Sequence, residues 1–174
     1  MIGSTSSGPL ARYMEAINRH DTRAALACLS RDFVLEFPGG AKLDRGGMES
    51  ALGWDAGTKG RVEWSVVAER GNVITIEGEE TNEFLRLLEI GPLPFESRFE
   101  LDDHGLIAKQ MHRTDWGGVS VEEALSPVLA WARQAAPAEL AEVYPDGRMT
   151  YTEEAGRAWV DLLRRWSRSQ SGSG

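Results

Sequence analysis

Alternation along residues 106–116 divides Gln110, His112 and Thr114 from the charged or long side chains of Lys109, Met111 and Arg113. An imidazole on the uncharged side of a strand can accept or donate a proton near neutral pH. Glu83 shares parity with Leu85 and Leu87, so a strand over 81–90 would aim its carboxylate into apolar space. A carboxylate beside an imidazole favours the imidazolium and orients its tautomer, while desolvation drives both groups toward neutrality. His112 and Glu83 are therefore the candidate general acid/base dyad, and Tyr13 is the candidate donor to a ligand oxygen. The plain alternative is that His112 only satisfies buried polar neighbours such as Glu83, Tyr13 or Gln110. Asp115 and Glu36 fall on the outward parity, with Lys109 and Arg113 in the case of Asp115, which argues against a role for either.

These side chains need elements to hold them. Leu10, Tyr13, Met14 and Ile17 recur at helical spacing and predict a helix over 9–19; Asp21 is the natural N-cap of a second helix over 22–30. Arg31-Asp32 then breaks the helical pattern before an alternating strand ending at Phe37-Pro38-Gly39-Gly40. A short helix follows over 48–56, closed by Gly57 and Gly60. Strand-like segments run over 61–69, 72–80, 81–90, 95–102 and 106–116, and only Gly78 separates the second from the third, so these two can be read as one bent strand. Gly91-Pro92-Leu93-Pro94 reads as a break in the ladder, and the short connections imply antiparallel pairing. Ser126-Pro127 predicts a helix start and Ala135-Ala136-Pro137 its end. The last helix opens at Thr152, with a stripe of Ala155, Ala158, Trp159, Leu162, Leu163 and Trp166 whose burial contributes roughly 6–10 kcal/mol before entropy is charged.

Composition narrows the function. The net charge of −8 argues against nucleic acid as a partner. There is no apolar run of membrane-spanning length and no secretory leader pattern, which points to a cytoplasmic protein without a membrane partner. Residues 77–103 carry nine acids against two bases, whereas the last helix is basic through Arg157, Arg164, Arg165 and Arg168; solvation of both faces, or their mutual docking, accounts for this. The single cysteine, Cys28, reads as a small core residue. His20, His104 and His112 lack metal-ligand spacing, and no phosphate loop, dinucleotide fingerprint or nucleophile elbow occurs, so neither metal nor cofactor is expected. Phe37, Trp54, Trp64, Phe95, Phe99 and Trp116 could wall an apolar cavity for an aromatic, terpenoid or polyketide-like molecule, or simply fill a core.

The stretch Ala11-Arg12-Tyr13-Met14-Glu15-Ala16-Ile17-Asn18-Arg19-His20-Asp21, the Phe37-Pro38 before Arg45-Gly46, and Phe99-Glu100-Leu101-Asp102-Asp103-His104-Gly105-Leu106-Ile107 together resemble the SnoaL-like branch of the nuclear transport factor 2-like superfamily. The resemblance covers about residues 9–116. It implies an α+β fold in which a cone-shaped, curved antiparallel sheet wraps around the N-terminal helices, and it implies isomerase, epoxide hydrolase, cyclase, dehydratase or plain binding roles. Relative to ketosteroid isomerase, Tyr13 matches the oxyanion-hole tyrosine, while Phe37 stands at the base position and Ser97 at the acid position. Relative to limonene epoxide hydrolase, Glu83, Thr81 and His112 stand where that family carries an Asp-Arg-Asp set.

The expected organisation is a flexible N-terminus over 1–8, a cone domain over 9–118, a helical extension over 119–168 packing on the cone or a partner subunit, and a flexible tail over 169–174. The expected function is binding of a small hydrophobic molecule in the cone, with cofactor-independent hydrolase, isomerase or cyclase chemistry through His112, Glu83 and Tyr13. Phe37, Trp54, Trp64, Ser97, Phe99, Gln110 and Trp116 are the expected ligand contacts. The competing expectation is a non-catalytic ligand-binding or homodimeric interaction module.

Overall fold

The computed structural model describes residues 8–171. Its elements are α1 (Pro9–Asn18), α2 (Thr22–Ala27), β1 (Leu29–Glu36), β2 (Lys42–Asp44), α3 (Arg45–Thr58), β3 (Arg61–Arg70), β4 (Val73–Thr81), α4 (Glu83–Leu87), β5 (Leu93–Leu101), β6 (Ile107–Thr114), α5 (Val121–Ala135), α6 (Pro137–Val143), a 3-10 turn at Pro145–Gly147, and α7 (Glu153–Ser171). Of the tails expected over 1–8 and 169–174, residues 1–7 and 172–174 lie outside the described residues. Residues 169–171 continue α7, where the Ser171 hydroxyl donates to the Ser167 carbonyl at 3.2 Å.

Pro9 opens α1 at its first turn, and Leu10, Tyr13 and Met14 bury the stripe that the sequence predicts. Asp21 caps α2 by accepting from the Ala24 amide at 2.9 Å. That helix stops at Ala27, earlier than the pattern suggests, because Leu29 and Ser30 are already buried strand residues. Arg31 and Asp32 lie exposed inside β1, where its register against β6 shifts between Leu29 and Val34.

The six strands form one curved, open sheet in the order β2-β1-β6-β5-β4-β3. All neighbours are antiparallel except β1 and β6, which run parallel. Short connections imply antiparallel pairing between strands that follow each other in sequence; β1 and β6 are separated by residues 37–106 and four other strands, so the expectation of antiparallel pairing throughout fails for them. The alternation expected along 106–116 is broken once, near the start of β6. Glu100 pairs with Lys109 and Leu101 with Ile107, so Ala108 is the extra residue of a bulge that turns Ile107 into the core while Lys109 and Met111 point outward.

Residues 83–87 are helical. Asn82 caps α4 by accepting from the Leu85 amide at 2.8 Å, and Phe84 and Leu85 are its buried residues. The strand parity assigned to Glu83 therefore does not hold. Pro94 stays within β5 because its carbonyl does the pairing, accepting from the Asp115 amide at 2.7 Å. In the extension, Ser120 caps α5 six residues before the expected start, and Pro127 lies inside that helix.

Two apolar clusters result. One joins α1, α2 and the sheet around Tyr13, Phe33, Phe99 and Ile107. The other joins α3 and α4 to α5, α6 and α7 around Trp54, Phe84, Val128 and Trp159. The extension thus packs on α3 and α4 of the same chain. Its closest approach is the crossing of α3 and α7, where a Cβ on Gly57 would lie 2.2 Å from the Glu153 carbonyl oxygen and one on Gly156 would lie 3.1 Å from the Trp54 carbonyl oxygen. Since backbone cannot yield as a side-chain end can, Gly57→Ala is expected to destabilise the fold by about 3 kcal/mol, the upper end of overpacking costs. Gly53→Ala, whose nearest atom is 3.4 Å away, should be far milder; urea denaturation of the two variants checks the difference.

Candidate active site

The inner face of the sheet, α3 and the extension enclose a cavity of about 610 Å³. Phe37, Trp54, Phe84, Leu85 and Leu93 supply apolar wall, and Val121, Met149 and Tyr151 of the extension join it. Trp116 and Tyr151 are 41% and 55% exposed, which places them at its rim. A broader groove of about 740 Å³ includes Glu77, Glu79, Glu96, Arg113 and Asp115 in its lining and offers fewer apolar surfaces.

His112 reaches the cavity from β6 and is held on every side. Its ring stacks on Phe95 with centroids 5.3 Å apart and meets Phe37 edge-on at 6.2 Å. Phe95 occupies that place because Gly78 stands opposite it: a Cβ on Gly78 would lie 2.0 Å from the Glu63 carbonyl oxygen and 2.9 Å from the Phe95 ring. Ser97, directly across the β5–β6 ladder, bonds His112 Nδ1 at 2.7 Å, and Gln110 Nε2 donates to Ser97 Oγ at 3.4 Å. On the other side Nε2 lies 3.0 Å from Thr114 Oγ1, and that hydroxyl donates to Glu80 Oε1 at 2.9 Å. Thr114 has one proton and gives it to a carboxylate, so its oxygen accepts from His112 Nε2–H. In the neutral form of the ring, Nδ1 then accepts from Ser97. In that form the bonds make one directed chain, Gln110 to Ser97 to His112 to Thr114 to Glu80, which ends in the cavity.

Asp55 lines the same cavity from α3. Burial, and secondarily the charge of Glu80, push its carboxyl up to about 7, against a lowering from His112. Tyr13 is fully buried and its hydroxyl has no partner; burial and then the nearby Asp55 raise its pKa.

Of the predicted residues, the structure brings His112, Ser97 and Gln110 into one network and sets Phe37, Trp54 and Trp116 on the cavity wall. It does not bring Glu83 to His112. Glu83 sits on α4, where it binds Arg164 at 2.6 Å, Lys59 at 3.2 Å and Arg86 at 3.3 Å. Burial raises its pKa, but the bonds to Arg164 and Lys59 outweigh that and hold it low. The carboxylate beside His112 is Glu80, whose Oε2 is 3.9 Å from Nε2. Tyr13 and Phe99 meet edge-on at 6.1 Å within the sheet core, and Trp64 packs against the same cluster; none of the three belongs to the cavity lining. Glu36 is held down to about 2 by its bonds to Lys109 and Lys42.

Glu80 and Asp55 were missed, and both carried a signal. Ile74, Ile76, Gly78 and Glu80 share one strand parity, and Met48, Ala51, Leu52 and Asp55 share one helical stripe. In each case the apolar face runs directly into a carboxylate.

No sequence family and no curated protein matches the chain. Solved structures do match its fold. An epoxide hydrolase/cyclase-like enzyme of pyran ring formation in the polyether salinomycin aligns with a TM-score of 0.54 at 13% identity, covering 62% of this chain and 88% of that one. A candidate polyketide cyclase from Silicibacter sp. TM1040 aligns at 0.51 and 21% identity, covering 65% and 93%. An NTF2-like protein of unknown function from Cytophaga hutchinsonii aligns at 0.50 and 15% identity, covering 62% and 87%. The chain has the nuclear transport factor 2-like fold.

The raised Asp55 has a measurable sign. An unfolded aspartate titrates near pH 4 and the folded one near 7, so the folded state holds the extra proton between them and stability falls as pH rises through that window. Asp55→Asn is therefore expected to stabilise the protein at pH 8 by on the order of a few kcal/mol, with a gain that shrinks toward pH 4. Urea titrations at pH 5 and pH 8 read this directly, and an equal effect at both would contradict it.

Proposed function

We propose that the cavity binds a small hydrophobic molecule and carries out cofactor-independent acid/base chemistry on it, of the hydrolase, isomerase or cyclase type. The observation that carries this reading is the directed relay from Gln110 to Glu80 opening into an apolar cavity of drug-like size. Glu80 is the group that meets the ligand and takes a proton from it or from a water. His112 acts through Thr114, fixing the hydroxyl that donates to Glu80, and is a positioning residue. The fold shared with cyclase-like and epoxide hydrolase-like proteins agrees with such chemistry without specifying it.

One observation favours a binding role instead: both ring nitrogens of His112 are already engaged, as in a polar group satisfied only for stability. In that reading the protein sequesters or senses its ligand. A homodimer through the outer sheet face fits either reading, since Val66, Val67 and Met111 are exposed.

Native mass spectrometry of protein never stripped of its endogenous ligands is expected to show a bound apolar molecule, released by filling the cavity through Ala51→Trp. With that molecule in hand, Glu80→Gln should lower its turnover about 10²–10⁴-fold while leaving affinity within a few-fold. Loss of affinity with no turnover in the wild type would establish the sensor.

A further inference from the structure

The two edges of the sheet are unlike. β2 is three residues long, whereas β3 runs for ten and is paired on one side only. Asn18 bonds both the N–H and the C=O of Val62, so the backbone groups of Val62 point away from β4. Val62 stands opposite Glu80, and the alternation of β4 is unbroken, so the β3 residues opposite Gly78, Ile76 and Ile74 send their N–H and C=O to the same free side. Those residues are Trp64, Val66 and Glu69. Among the described residues, nothing bonds them there.

An open edge of this length is a template for one more strand, and β3 is complementary to itself. Val67 is an extra residue between Val66, opposite Ile76, and Ala68, opposite Thr75, and it inverts the phase of the strand. Glu63 before the bulge and Arg70 after it therefore both lie on the outer face, opposite Glu79 and Val73. Both are exposed, and neither has an ion-pair partner among the described residues. When two copies of β3 are laid antiparallel about a two-fold axis at the bulge, Trp64 meets Glu69 of the second copy with their free backbone groups facing each other. Glu63 then meets Arg70 of the second copy in the adjacent non-hydrogen-bonded pair, where side chains stand closest, and the symmetry makes that contact twice. Val66 and Val67, 37% and 49% exposed, fall at the axis and are covered there. A lone bulge blunts an edge, but two bulges set on one axis match each other.

We propose that two copies of this chain pair edge to edge through β3, with Glu63 and Arg70 of each copy in reciprocal ion pairs, so that their sheets become one. The outer face is a poorer place for a second copy to lie flat: Glu63 already stands across from Glu79 and Glu77 from Glu96, and a symmetric contact there would add carboxylates to carboxylates. The proposal rests on the homodimer reading above, moves its contact to the rim of that face, and is independent of what the cavity binds.

The test is sedimentation equilibrium of the full chain over a dilution series. The wild type is expected to dimerise with a Kd in the micromolar range, since an edge contact buries less than a standard interface. Arg70→Glu and Glu63→Arg each turn both attractions into repulsions and should weaken the dimer about tenfold. An equimolar mixture of these two variants, and a chain carrying both changes, restores opposite charges at both contacts and should recover the wild-type constant. Glu69→Pro removes only an N–H on the free side, so it should leave the urea midpoint unchanged and the protein monomeric. A dimer that none of these variants weakens overturns the edge contact and leaves the homodimer standing. Weakening by both charge variants with no recovery on mixing overturns the pairing of Glu63 with Arg70, and a wild type that stays monomeric at every concentration overturns edge and homodimer together.

Discussion

The hydrogen bond between Ser97 and His112 across β5 and β6 is the constraint on which the site depends. It exists because these residues are direct ladder partners with inward side chains, and that parity is restored only by the bulge at Ala108. Without the bulge, a strand that buries Ile107 would turn Gln110, His112 and Thr114 outward. The same bulge leaves Lys109 and Met111 on the outer face, where Lys109 pairs with Glu36. A single extra residue therefore separates the polar relay inside the cone from the ion pairs outside it.

Neighbouring strands sharpen this arrangement. Gly78 gives up a side chain so that Phe95 can lie flat against the imidazole, and two places further along β4 Glu80 receives the end of the relay. At the free edge of the sheet, Asn18 of α1 donates to the Val62 carbonyl and accepts from the Val62 amide, both at 2.8 Å, mimicking a strand partner on β3. The edge strand of the cone is thus bonded along its free side by a side chain.

Much of the fold was legible because periodicity reports burial. The stripes of α1 and α7, the cap at Asp21 and the alternation through β5 all appear in the sequence as they do in space. The errors arose where one residue changes the phase. Asn82 starts a helix in a run that alternates like a strand, which moved Glu83 from the cavity to an outer cluster with Arg164 and Lys59. Glu80 was hidden among Glu77 and Glu79, an acidic run that reads as a solvated face although only alternate members point outward. Asp55 was hidden because a lone carboxylate on an apolar helical stripe looks like the stripe's end. His112, Ser97 and Gln110 share a face in space as in the sequence because an uncharged parity set beside a charged one survives small errors in strand ends.

The crossing of α3 and α7 links residues nearly a hundred positions apart. Closing so long a loop carries an entropic cost that comes before any contact repays it. Until that closure occurs, Trp54, Phe84 and Leu85 present an apolar face that the sheet does not cover. A form of the chain in which the sheet is built and α7 is undocked would leave that flank bare, and such a surface is where chains meet one another instead of themselves. The glycine pair that lets the two helices touch in the native state is therefore also what keeps that flank covered.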